Sequence, residues 1–174
     1  SKFIDSPYSR TGILEGNPIH KDMVAASKMA HQKYIVNVII DADKKVVHAV
    51  AGDAIEAHAA GCKFLQDYCQ VVPKKAADIA ISTNGGYPLD QNMYQSVKGM
   101  TAAEAAAKDD GILLMVSNCG DGHGGEGFYE ALKNCSSPAD LMEEILKVPQ
   151  DQTKPDQWEY QIQCRILMQH KVIY

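Results

Sequence analysis

Long hydrophobic runs, an excess of basic charge and paired metal-ligand motifs are all missing from this 174-residue sequence. No apolar stretch approaches the roughly 20 residues that a membrane-spanning helix needs, and no basic-then-apolar signal pattern opens the chain. Lysine and arginine number 17 against 22 aspartates and glutamates, a net charge of −5. A surface for duplex DNA or RNA needs a basic field, so this balance argues against nucleic acid as a partner. The Lys-Lys pairs at 44–45 and 74–75 read as surface turn residues. The five cysteines (Cys62, Cys69, Cys119, Cys135 and Cys164) are an odd set without a C-x-x-C pair. That usage predicts reduced thiols in a cytoplasmic protein rather than a disulfide framework or a zinc site. Cys62 and Cys69 lie on one helical face and are expected in a core. His20, His31, His48, His58, His123 and His170 form neither an HxH nor an HExxH pattern, so no metal site built wholly from this chain is expected. There is no G-x-S-x-G elbow and no cysteine evidently paired with a base.

What is present fits an ordinary soluble protein. Hydrophobic residues make up 45% and charged residues 22%, and the length suits one domain with a sizeable core. The chain opens "SKFIDSPYSR" without Met and stops at "HKVIY" within strand-like sequence, which predicts a fragment of a longer protein.

Residues 17–31 read as a helix with Asn17 as N-cap and Pro18 at its first position. "YIVNVIID" (34–41) and "KVVHAVAG" (45–52) are β-branched runs separated by a short turn, a hairpin signal. Asp53 and Glu56 form a capping box opening the next helix. "ADIAIST" (77–83) and "GILLMVSN" (111–118) read as buried strands. Between them, 90–98 reads as a helix ending at Gly99, and Thr101 with Glu104 as a capping box for a second one, "AAEAAAKDD". "GFYEALKN", 137–148 and 155–170 read as helices, with "KVIY" as a last strand. The alternation predicts one α/β domain over 1–174, with a mixed, largely parallel sheet flanked by helices and a β-hairpin near the N-terminus. In such sheets ligands sit beyond the carboxyl ends of the strands, where both unusual loops, 84–90 and 119–127, fall.

The second loop contains a formal G-x-G-x-x-G at Gly120, Gly122 and Gly125, between a strand and a helix. A dinucleotide fingerprint also requires a second parallel strand ending in Asp or Glu about 20 residues on. The sequence there is the amphipathic "ADLMEEIL", so the pattern reads as a site-edge loop to which Asp121 and His123 add polar groups. A nucleotide-binding oxidoreductase module using 120–127 is the alternative.

The first loop leads into a helix whose residues Gln91, Tyr94, Gln95 and Lys98 share one face. An ammonium, a phenol and two amides suit a small carboxylate or hydroxy acid, and Gly85 and Gly86 allow close backbone approach. The competing reading is a solvated helix face.

The run "ADIAISTNGGYPLDQNMYQSVKGM" resembles the C-terminal domain of the nickel-dependent lactate racemase family. The likeness extends through "GILEGNPIHKDMVAA", "AGDAIEAHAAGCKF" and "DQWEYQIQCRIL". The resemblance implies a two-domain isomerase that interconverts stereoisomers of a 2-hydroxy acid. It implies a nickel-pincer nucleotide that takes hydride from C2 and returns it to the other face of the 2-keto acid. The family's acid/base histidines, cofactor-tethering lysine and nickel ligand belong to an N-terminal domain and have no matching positions here. No catalytic residue is therefore expected in this chain, and the fragment alone is expected to be inactive. Gln95 and Lys98 match the family's substrate-contacting pair, and Tyr94 lines the same pocket. The expected partners are a small 2-hydroxy acid and the protein's own N-terminal domain. Leu89 stands where many relatives carry a charge, which leaves the particular acid open, and a non-catalytic family scaffold is the remaining alternative.

Overall fold

The computed structural model describes residues 1–174 and divides them into two compact units, Asp5–Val72 and Ser1–Ile4 with Pro73–Tyr174. The chain changes unit after the helix that ends at Cys69. There "VVPKK" has no periodicity to carry an element across, and Val71 and Val72 are 86% and 77% exposed.

After a single helical turn, α1 (Lys2–Asp5), the first unit contains α2 (Pro18–Met29), β1 (Ile35–Ile40), β2 (Val46–Gly52) and α3 (Ala54–Cys69). Both expected caps form. Asn17 accepts from the amides of Ile19 and His20, and Asp53 from those of Ile55 and Glu56. β1 and β2 pair antiparallel from Ile35 opposite Gly52 to Ile40 opposite Val46, as their own two-stranded sheet. α3 lies so close to the hairpin that a Cβ on Gly61 would stand 3.3 Å from Val50 Cγ2. Ala57 is the only buried residue of α3, however, and α2 has none. The core expected around Cys62 and Cys69 is correspondingly thin. Cys62 is half-buried with Sγ 3.5 Å from His58 Nε2, and Cys69 is exposed.

The second unit is built on a parallel sheet, β3 (Ala77–Thr83), β4 (Ala107–Val116) and β5 (Lys171–Ile173), in that order. α4 (Met93–Glu104) connects the first pair of strands. α5 (Glu126–Asn134), α6 (Pro138–Lys147) and α7 (Gln157–Gln169) connect the second. Right-handed crossovers between strands added in one direction put α4 and α7 on the same sheet face. The core agrees: Ala80, Leu113 and Met115 of the sheet pack with Met100, Ala103 and Ile166 of these helices. A second cluster, centred on Val97, Phe128, Leu141, Ile145 and Cys164, joins α4 through α7. α4 and α7 run side by side in the same direction. Tyr94 meets Asp156 at one end, and Glu104 forms a two-pronged ion pair with Arg165 at the other.

Two local readings are corrected. Gly99 does not end a helix; it sits buried in mid-α4, where a Cβ would overlap Asn84 Oδ1 and stand 2.5 Å from Met115 Cε. Glycine is there for close packing, not for a stop. Nor does Thr101 cap a second helix: its hydroxyl donates to the Lys98 carbonyl at 2.7 Å, an interior helical bond. The alanine-rich "AAEAAAKDD" looked helical by propensity, yet strand pairing takes its second half, with Ala107 opposite Ala77 and Lys108 bonded to Asp78 at 2.6 Å.

Candidate functional site

Because β3 and β4 are parallel neighbours, the loops that leave them emerge at the same sheet edge and interlock. The amide of Cys119 donates to the Asp90 carbonyl at 3.0 Å and that of Asp121 to the Gln91 carbonyl at 2.8 Å. The Asn118 amide donates to the buried Asp90 carboxylate at 3.2 Å, and Ser117 Oγ to its carbonyl, also at 3.2 Å. Asn84, at the end of β3, donates from Nδ2 to the carbonyls of Leu89 and Gln95, which straps the first loop onto α4.

This bracing fixes how α4 begins. A helix leaves its first amides without internal partners. Here the Met93 and Tyr94 amides donate to the carbonyls of Gly122 and His123, and the Gln95 amide to the N-cap Asn92 side chain at 3.0 Å. The glycine-rich loop is therefore a carbonyl support for α4. Its own amides at Asn118, Cys119, Asp121 and Gly122 are already hydrogen-bonded. Gly124 has φ +87°, and a Cβ there would lie 2.8 Å from Tyr94 Cβ, so this glycine is required by the close approach to α4. A phosphate-binding fingerprint needs free, convergent amides, and these four are already taken. His123 stacks on Tyr129 with centroids 4.2 Å apart, and Asp121 is exposed.

Of the four residues expected on the polar face, Gln95 and Lys98 are brought together. Lys98 Nζ donates to Gln95 Oε1 at 2.5 Å and stands 5.9 Å from the ring centroid of Trp158 on α7. Lys98 is exposed and Gln95 half-buried. Tyr94 serves mainly as a strut. Its hydroxyl donates to Asp156 at 2.9 Å, and its ring meets Phe128 and Trp158 edge-on at 5.6 and 6.0 Å. Burial, reinforced by the Asp156 bond, pushes its phenol up to about 12, so it acts as a neutral donor. Gln91 is tied in through its backbone carbonyl.

The residues missed by sequence reasoning all come from the start of α7: Asp156, Trp158 and Glu159. The only tryptophan in the chain, within "PDQWEYQ", is the signal that would have found them. Its ring is 38% exposed and completes a corner of ammonium, amide and indole. Such a corner suits a small anion: the ammonium supplies charge, the Gln95 amide supplies direction, and the indole ring excludes water from one side. Glu159, beneath it, is 0% exposed, and burial pushes its carboxyl up to about 8 against the opposing pull of Lys98.

No group of three His, Cys, Asp or Glu side chains is placed to hold a metal ion. No helix is long and apolar enough to cross a membrane.

Residues 72–174 match the family model of the lactate racemase C-terminal domain, and the match begins where the second compact unit does. The chain is 56% identical over 173 residues to the lactate racemase of Thermoanaerobacterium thermosaccharolyticum, covering 99% of this chain and 40% of that protein. It is 51% identical over 173 residues to the lactate racemase of Lactiplantibacillus plantarum, covering 99% of this chain and 41% of that protein. It superposes on the lactate racemase apoprotein structure from T. thermosaccharolyticum with a TM-score of 0.94 at 55% identity, covering 98% of this chain and 41% of that one. It thus spans about two-fifths of the length of these relatives, including the 1–71 stretch outside the family model. With its parallel sheet, its braced α4 and these matches, the chain belongs to the lactate racemase C-terminal domain family.

Proposed function

We propose that this chain supplies the substrate-holding part of a racemase that inverts the C2 centre of a lactate-type 2-hydroxy acid. The observation that carries the reading is the Lys98–Gln95–Trp158 corner at the carboxyl edge of the sheet. In this reading the Lys98 ammonium takes the substrate carboxylate, and the Gln95 amide, released from Lys98, bonds the carboxylate or the C2 oxygen. Trp158 covers one side. Asn84, Asn92 and the glycine loop hold α4 so that these groups keep their aim.

The acid/base groups that invert C2 are assigned to the protein's own N-terminal domain, as is the nickel-pincer nucleotide that the resemblance implies. No three metal-ligating side chains converge in this chain; the residues that would hold the nucleotide are assigned with it to the N-terminal domain.

The test is racemisation by the complete protein, prepared from cells supplied with nickel. Pure L-lactate and pure D-lactate are each expected to drift to an equal mixture, followed by chiral chromatography. Retention of each enantiomer, under conditions where a known lactate racemase equilibrates both, would remove the proposal.

A further inference from the structure

The buried carboxyl beneath this corner has no hydrogen-bond partner. Glu159 lies in the first turn of α7, is 0% exposed, and neither Oε1 nor Oε2 accepts a hydrogen bond. Buried carboxylates without donors are rare because removing the charge from water is costly, so the group either keeps a proton or finds a movable cation. The titratable groups that face it are Lys98 and the Tyr94 phenol from α4, and Asp156 from the start of its own helix. Farther along α7, Arg165 is already held by Glu104. Lys98 is the one cation near enough to matter that is not in a salt bridge. It sits on a flexible stem, with its ammonium shared between Gln95 and the Trp158 face.

We propose that Glu159 is a positioning residue for Lys98: when ionised it draws the ammonium off Gln95 toward α7, and when protonated it leaves the ammonium on Gln95, available to an anion. Anion binding at Lys98 and proton binding at Glu159 are then linked reciprocally. Burial pushes Glu159 up to about 8, with Lys98 pulling it down and Asp156 pushing it up. The acid is therefore mostly neutral at pH 7 and ionises as pH rises through that value. The sign follows: anion affinity is highest below the Glu159 midpoint and falls above it. The identity of the anion rests on the function proposed above; the coupling between Lys98 and Glu159 does not.

Carbon-13 NMR of the Glu159 carboxyl in the 174-residue chain, without ligand, tests the coupling. Its midpoint is expected well above the ordinary 4.5, to rise by roughly one unit or more in Lys98→Met, and to fall in Asp156→Asn. Both substitutions fall at exposed positions, so neither depends on a variant that tolerates a change in the core. A midpoint near 4.5, or one that Lys98→Met leaves unmoved, overturns the proposal. Titration with sodium L-lactate forms the second arm. Affinity in the wild-type chain is expected to drop on the order of tenfold between about pH 7 and pH 9, and to be flat in Glu159→Gln. A flat wild-type profile overturns the linkage. Intact coupling with no lactate binding at any pH supports the positioning role and counts against the proposed function instead.

Discussion

Replacing Lys98 by alanine in the complete protein is expected to lower kcat/KM for lactate racemisation by roughly 10- to 150-fold. A charge-assisted hydrogen bond is worth about 1.5–3 kcal/mol, and each 1.4 kcal/mol is about a tenfold change. The larger share of the loss is expected in KM, because the ammonium holds a carboxylate whose charge is the same in the ground state and the transition state. Lys98 is exposed and its ammonium donates to Gln95, so the fold does not depend on it and the loss reads on binding. Lys98→Met, which keeps an apolar stem against Trp158, is expected to lose as much as Lys98→Ala. Steady-state rates from both enantiomers separate the cases. A variant with wild-type KM and kcat would show that the ammonium does not touch substrate.

Gly99→Ala is expected to destabilise the second unit by about 1–3 kcal/mol, the usual cost of overfilling a packed core. A glycine in a helix interior ordinarily gains from this change, so the expected sign is the reverse of the general rule. The reason is local. The new methyl group would press on Asn84 and on Met115, whose Cε would be 2.5 Å away. Met115 is 2% exposed and has little room to yield, and Asn84 is held by its bonds to Leu89 and Gln95. Moving Asn84 also loosens the strap between the first loop and α4, so lactate affinity is expected to fall with stability. Gly127→Ala, where a Cβ meets nothing within 4 Å, is the control and is expected to be neutral or slightly stabilising. Urea unfolding of both variants reads the difference. Equal midpoints would mean that α4 does not approach β4 as closely as described.

The sheet, the hairpin and most helix starts were legible because they rest on local signals: β-branched runs, Asn17 before Pro18, and Asp53 capping α3 by accepting from the Ile55 amide at 2.9 Å. Gln95 and Lys98 were legible for a different reason, a polar face where a core helix wants Leu or Val. Three features were hidden because their causes lie far off in sequence. Gly99 looks like a stop until Met115 and Asn84 are seen against it. The 120–125 loop mimics a nucleotide fingerprint until its Gly122 and His123 carbonyls prove to hold the start of α4 and Gly124 to press on Tyr94. Trp158 and Glu159 join the site only because α7 runs beside α4, some sixty positions earlier in the chain.

The central claim is that the Lys98–Gln95–Trp158 corner holds a 2-hydroxy acid. Nitrogen-15 NMR of the chain during titration with sodium L-lactate tests it most directly. The expected result is saturable shifts of the Gln95 side-chain amide and the Trp158 indole N–H, both abolished by Lys98→Ala. Shifts confined to the amides of 118–125, or none at Gln95 and Trp158 as lactate is raised, would contradict it.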